Sequence, residues 1–317
     1  MLRLARSLVL AAASLAAFTV AAQTFPAKPV RWVVPFPPGG ATDVVVRLLN
    51  PKLTERLGQP VVVENIGGAG GDIGHGTVAR APADGYTMLY AVPALVTNPS
   101  FIKSAVDPDL FAGVIQATGL TSVLVAANGF APKTVPEIIA EARAKPGTVS
   151  CATPGSLPTV GCALLQSYAG VPMILVNYKG NAPALQALMA GEIHLMFDLG
   201  PTVVQPVKAG RVRAVATAFP KRGAQPFPDL PAVAETIPGF DLTAWQGVVV
   251  RAGTPAEAIA RLNRDLATAL GQEDVRQKLA ATGVDVIGGT AQAFDQLIKR
   301  DHQRFGEALA KAGVKPE

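Results

Sequence analysis

The sequence predicts an α/β chain folded in two lobes, and three observations lead there. Short apolar runs alternate with helical patterns almost throughout. The alternation passes through two cycles, the second beginning near Thr121, before a Pro-rich passage, "FPKRGAQPFPDLPAVAETIPGF", interrupts it. Three further helical patterns then close the chain. A βαβ rhythm implies mainly parallel sheets flanked by helices. Ligands of such sheets sit beyond the carboxyl ends of the strands. The expected site is therefore an interlobe cleft, with lobe 1 formed by 23–122 plus 245–317, lobe 2 by 123–244, and hinge crossovers between them.

The first 22 residues stand apart. Arg3 and Arg6 precede an apolar run from Leu8 to about Ala22 that is short for a spanning helix and ends in small residues. This reads as a secretory signal peptide cut before Gln23, with an N-terminal membrane anchor as the alternative. Next, "VRWVVPF" reads as a buried strand. "TDVVVRLLNPKLTERLG" places Val45, Leu48, Leu49, Leu53 and Leu57 near helical spacing and stops at Gly58. Pro51 is expected to kink or split that helix. "PVVVEN" is a second strand, "GGAGGDIGHGTVARAPADG" a Gly-rich turn with a short helix, and "YTMLYAV" a third strand.

The second cycle runs in the same manner. "SVLVAAN" is a strand, "TVPEIIAEARAKPG" a helix and "TVSCATPG" a strand ending in a turn. "LPTVGCALLQSYAG" is helical, "MILVNYKG" a strand, "APALQALMAGE" a helix, and "IHLMFDLG" and "VRAVATAF" are strands. After the Pro-rich passage "LTAWQGVVVRAG" is extended. The closing helices are "PAEAIARLNRDLATALG", "EDVRQKLAATG" and "AQAFDQLIKRDHQRFGEALAKAG".

Composition removes several function classes. With 49% hydrophobic and 16% charged residues the chain is ordinary folded material. The formal charge of +5 falls to +3 without the two leader arginines, and the cations are scattered, so no nucleic-acid surface is expected. The histidines, His75, His194 and His302, lie far apart, and no metal-ligand spacing or cofactor motif is present. Ser100 to Lys103 matches S-x-x-K without its companion motifs, and Gly74 to Ala79 fits only the loose form of a dinucleotide loop. No catalytic base or nucleophile can be named, so an enzyme is not expected. Cys151 and Cys162 fit a disulfide in an exported protein and equally fit two buried small residues.

The junction "VVPFPPGGATD" is the most informative stretch. A strand ends at two prolines and two glycines, and a helix starts at once. The first N–H groups of a helix have no partners within it, and its dipole favours an anion there. Gly39 and Gly40 would let an anion approach closely. The junction offers a hydroxyl, on Thr42, but no cation, which suits a carboxylate better than a phosphate. Read alone, it fits a helix capped by Thr42 or Asp43 as well as it fits an anion site.

"FPAKPVRWVVPFPPGGATDVVVRLL" strongly resembles the start of the tripartite tricarboxylate transporter substrate-binding proteins, the Bug or TctC-like family. The resemblance continues through "QPVVVENIGGAGGDIGHGTVARAPADGYTML", "VNYKGNAPALQALMAGEIHLMFD", "AGRVRAVATAFPKR", "PAVAETIPGFDLTAWQGVVVRAGTP" and "LAATGVDVIGGTAQAF", in order. It implies a two-lobed periplasmic binding protein of the venus-flytrap, type II-like kind, monomeric and without metal or cofactor. Such a protein holds a small organic carboxylate for membrane transporter subunits or, alternatively, for a sensor kinase ectodomain. A small-molecule hydrolase using the same cleft is a further alternative.

The family's first-lobe loop maps onto Pro38, Gly39, Gly40, Ala41, Thr42 and Asp43. Asp43 has the wrong charge to touch a carboxylate and is assigned to capping, or to a ligand ammonium. The second-lobe loop maps onto Gly155, Ser156, Leu157 and Thr159. There Leu157 replaces a glycine, Pro158 a hydroxyl residue and Gly161 a histidine. Tyr178 and Asp198 match family positions at strand ends. The losses in the second loop, with Lys179 the one candidate cation, favour a monocarboxylate or a dicarboxylate with a large apolar part, aromatic acids included, over citrate.

Overall fold

The computed structural model describes residues 25–316, so the expected leader at 1–22 lies outside the described residues. The chain begins with βαβ units. β1 (Val30–Val34) leads through α1 (Ala41–Leu57) to β2 (Val61–Asn65), and α2 (Asp72–Ala79) leads on to β3 (Thr87–Ala91). β1 pairs in parallel with both β2 and β3. After the short α3 (Ala94–Thr97) comes the ten-residue β4 (Phe111–Leu120). Thr121 alone separates β4 from β5 (Ser122–Ala127), which belongs to a second sheet.

That second sheet is built by α4 (Val135–Ala144), β6 (Ser150–Thr153), α5 (Ser156–Ala169), β7 (Ile174–Asn177), α6 (Asn181–Ala190), β8 (Leu195–Leu199), α7 (Gly200–Lys208) and β9 (Val212–Thr217). Its strand order is β7-β6-β8-β5-β9. The chain then returns to the first sheet as β10 (Ala244–Arg251). It finishes with α8 (Ala256–Leu270), α9 (Glu273–Ala281), β11 (Asp285–Val286) and α10 (Ala291–Lys311). The first sheet has the order β11-β4-β10-β3-β1-β2. Two helix-flanked sheets make the two-lobed α/β architecture.

The expectation of mainly parallel sheets is corrected: both are mixed. β10 runs antiparallel to β3 and β4, and β11 antiparallel to β4. In the second sheet β6 is parallel to β7 and β8, while β5 is antiparallel to β8 and β9. The strands that carry the chain between lobes enter each sheet against the direction of its βαβ strands. Burial follows strand position. Every residue of the inner β3 is buried, and so is all of β10 except its last residue, whereas the edge strands β2 and β7 are largely half-buried or exposed.

Helix α1 continues unbroken through Pro51, against the expected split. Leu49, Leu53 and Leu57, at 0%, 0% and 5% exposure, bury the apolar face on both sides of the proline. Tertiary packing there outweighs the hydrogen bond that proline removes. The last helix, α10, lies against β4 and α8 and also against α5 of the other lobe. On it Asp301, 1% exposed, accepts hydrogen bonds from Trp245 Nε1 at 3.0 Å, Arg304 Nε at 2.7 Å and Arg300 Nε at 3.1 Å. Arg300 also reaches Asp241, just before β10, at 3.0 Å. Among the described residues no helix is long and apolar enough to cross a membrane.

Candidate functional site

A cavity of about 640 Å³ lies between the sheets, beyond the ends of β1, β3, β6 and β8. The loop after β1 supplies Phe36 and Gly40 to its wall, and the first turn of α1 supplies Ala41 and Thr42. Gly39 turns the chain there with φ +82°, a conformation that strains other residues, and Gly40 is the N-cap of α1. Asp43, 2% exposed, holds the turn from behind. Its Oδ2 accepts the Gly39 N–H at 2.9 Å and Arg47 Nε at 2.8 Å, and its Oδ1 accepts Asn65 Nδ2 at 2.9 Å. Burial pushes the Asp43 carboxyl up, but the bonds from Arg47, Gly39 and Asn65 outweigh it and hold the group below the usual carboxylate range.

Pro154, Gly155, Ser156, Leu157 and Pro158 form the facing wall in lobe 2. Gly155, φ +102°, is the N-cap of α5, and Ser156 follows at φ +50°, an unusual value for a residue with a side chain. Gly155 N–H donates to Thr159 Oγ1 at 2.9 Å. A disulfide between Cys151 and Cys162, with Cα atoms 6.0 Å apart, ties β6 to α5 directly behind this loop. Gly161 is explained by its neighbours: a Cβ there would lie 2.5 Å from Phe197 Cγ and 2.7 Å from Leu242 Cδ2. The space a larger residue would need is filled by Phe197, which stacks on Phe240 at 5.8 Å and also lines the cavity.

The structure thus brings Gly40, Ala41, Thr42, Gly155, Ser156, Leu157 and Asp198 together around one cavity. It does not bring Pro38, Gly39, Asp43, Thr159 or Tyr178 into the wall. Gly39, Asp43 and Thr159 are spent on the turns themselves, Pro38 is exposed, and Tyr178 packs half-buried against the core. Lys179 is exposed and also lies outside the wall.

Several lining residues carry no local sequence signal: Asn98 after α3, Asn181 at the start of α6, and Trp245 and Gln246 on β10. Gln246 Oε1 accepts hydrogen bonds from Tyr90 OH at 3.1 Å and Thr118 Oγ1 at 3.2 Å. A register shift in the pairing with β4 falls between Gln246 and Gly247, and such irregularities re-aim side chains. Ser122 adds a hydroxyl residue, and most of the remaining wall is apolar, with Phe36, Val92, Leu120, Leu157, Phe197 and Trp245 contributing. Asp198 is the one ionisable side chain in the wall among the described residues. No group of three or more His, Cys, Asp or Glu that could hold a metal occurs among them.

The fold agrees with that of solved relatives of this chain. A family profile described as "Tripartite tricarboxylate transporter family receptor" matches residues 45–314. The chain is 36% identical over 294 residues to the UPF0065 protein in the tcbD-tcbE intergenic region of Pseudomonas sp. strain P51, covering 90% of this chain and 87% of that one. It is 34% identical over 304 residues to protein BugT of Bordetella pertussis, covering 93% of each. Among solved structures, R. palustris Rpa4515 with adipate shares 31% identity at a TM-score of 0.69, over 92% of this chain and all of that one. MatC of Rhodopseudomonas palustris with bound malate shares 33% at 0.67, over 90% of this chain and all of that one. The chain belongs to the tripartite tricarboxylate transporter receptor family, the TctC or Bug solute-binding proteins, which are periplasmic substrate receptors and not enzymes.

Proposed function

We propose that this protein captures a small organic carboxylate in the cleft and delivers it to a tripartite tricarboxylate-type membrane transporter. One observation carries the reading. Two helix N-termini, one per lobe, open into the same cavity through Gly40 to Thr42 and Gly155 to Leu157. Each presents N–H groups unused within its helix and a partial positive charge. An anion can be held between them with no cationic side chain in the wall. The bound adipate and malate of the two related structures are carboxylates as well. In this reading 1–22 is a leader that sends the chain to the periplasm, where it acts as a monomer. The lobes, 23–122 plus 245–317 and 123–244, close on the ligand about their crossing strands.

The test is native mass spectrometry of the purified protein to identify the retained acid, followed by calorimetry with Thr42→Val. Losing one hydrogen bond to a charged acceptor should weaken binding by about 1.5–3 kcal/mol. Unchanged affinity would reduce the first loop to a helix cap.

A further inference from the structure

Asp198 lies near the end of β8, in the cavity wall, and is 2% exposed. Its two oxygens are treated differently. Oδ1 accepts Asn181 Nδ2 at 2.8 Å and its neighbour's N–H, Leu199, also at 2.8 Å. Oδ2 is buried and has no hydrogen-bond partner among the described residues. An ionised carboxylate is acceptor-only, so a buried oxygen without a protein partner can still accept a hydrogen bond. Among the described residues no Lys, Arg or His shares the wall with it. Burial accordingly raises the Asp198 carboxyl above its ordinary range, with the bonds from Leu199 and Asn181 opposing.

We infer that Asp198 is a specificity-determining residue that accepts a hydrogen bond from the ligand, so that the acids taken by this cleft carry a hydroxyl, ammonium or N–H group together with a single carboxylate. The inference rests on the carboxylate reading above and narrows it. The ligand carboxylate sits at the helix N-termini, which stabilise one negative charge. Asp198 occupies the part of the wall built by β8 and α6. A second carboxylate placed there would meet a like charge in a site with no cation to offset either. A donor placed there satisfies Oδ2, and an ammonium does so with charge complementarity. The apolar remainder of the wall accommodates the hydrocarbon between the two groups.

Calorimetry on the purified protein with matched acids tests this. One series is hexanoate, 2-hydroxyhexanoate, norleucine, 6-hydroxyhexanoate, 6-aminohexanoate and adipate. The second is phenylacetate with 4-hydroxyphenylacetate. The expected result is a donor-bearing acid binding at least about tenfold tighter than its parent, with adipate weaker than that acid. That factor is typical of satisfying one buried polar group. Asp198→Asn, which can turn an amide donor toward the ligand, should cut the advantage to below about threefold. Parent acids equal to their donor-bearing partners in both series would overturn the inference and leave the carboxylate reading standing. So would adipate as the tightest ligand, or an advantage retained in Asp198→Asn. Should the variant not fold, the wild-type series decides alone. Binding of none of these acids, with native mass spectrometry finding another carboxylate that lacks a donor group, would overturn the inference alone; a retained ligand without any carboxylate would overturn both readings.

Discussion

The two loops that face each other across the cleft solve one problem with different chemistry. In each, a strand ends, a glycine at positive φ turns the chain, and a helix starts against the cavity. In each, that glycine's N–H donates to a side chain four residues on: Gly39 to Asp43 in lobe 1 and Gly155 to Thr159 in lobe 2, both at 2.9 Å. The first clamp is a charge. Asp43 carries three hydrogen bonds and pairs with Arg47. The second is a neutral hydroxyl, and its loop is anchored covalently by Cys151–Cys162 instead. A turn can thus be fixed by a polar network or by a staple. Either leaves the first turn of the helix open toward the cleft.

The comparison is broken most strongly at Asp43. Asp43→Ala removes three acceptor contacts and leaves the Gly39 N–H without its partner, so stability should fall by about 3–4 kcal/mol in urea unfolding. A loss under about 1 kcal/mol would show that the lobe 1 turn holds itself. Next is the staple. Replacing both cysteines by serine should cost about 3 kcal/mol, the entropy of an eleven-residue separation, measured as a lowered unfolding midpoint in the oxidised protein only. Equal midpoints with and without reductant in the parent protein would mean the bond contributes nothing.

A pH titration sharpens the contrast between lobes. His75, wholly buried in α2, is pushed down to about 4 by desolvation, against the opposing pull of Asp72, whose Oδ1 is 3.6 Å away. The unfolded chain binds this proton near 6.5 and the folded chain does not until about 4. Stability should therefore fall as pH drops from about 6.5 to about 4, by roughly 2–3 kcal/mol in total. His75→Gln should flatten that window. His194 in lobe 2 shifts the same way by burial, with Glu141 opposing, but is less enclosed and adds less. An unaltered acid limb in the variant would assign the effect elsewhere. The smallest expected change is Thr159→Val. It removes one neutral hydrogen bond from the lobe 2 clamp, for about 1–2 kcal/mol. If it matches the Asp43→Ala loss, the charged and neutral clamps are equivalent after all.

Much of this frame is legible in sequence because its signals are local. The prolines, glycines and Asp43 announce a strand-to-helix turn within a few residues. The sign of Asp43 keeps it off a carboxylate but leaves capping and a ligand ammonium open, and the built turn claims it for the Gly39 N–H. Thr159 is not legible in the same way. Its hydroxyl looks free to meet a ligand until the turn at Gly155 is built and claims it. Gln246 and Trp245 are less legible still. Their place in the wall depends on the register of β10 against β4, a pairing across more than a hundred residues that includes an irregularity at Gln246. The mixed sheets escape for the same reason. Apolar runs mark strands, but the direction in which β5 and β10 enter a sheet is set by the crossings. Pro51 misleads because propensity speaks for one turn, while the leucines on either side of it speak for the whole helix.

The strand order also dictates a sequence of events in time. The second sheet draws all five of its strands from one uninterrupted stretch, Ser122 to Thr217. The first cannot close until β10 slots between β3 and β4. A chain emerging from its amino end exposes three parallel strands and the long β4 while their central neighbour is still missing. Lobe 2 can be complete before residue 244 appears; lobe 1 cannot. Chaperones that shelter emerging polypeptides would thus find their main task in the first 120 residues, where unpaired strand edges stay open longest.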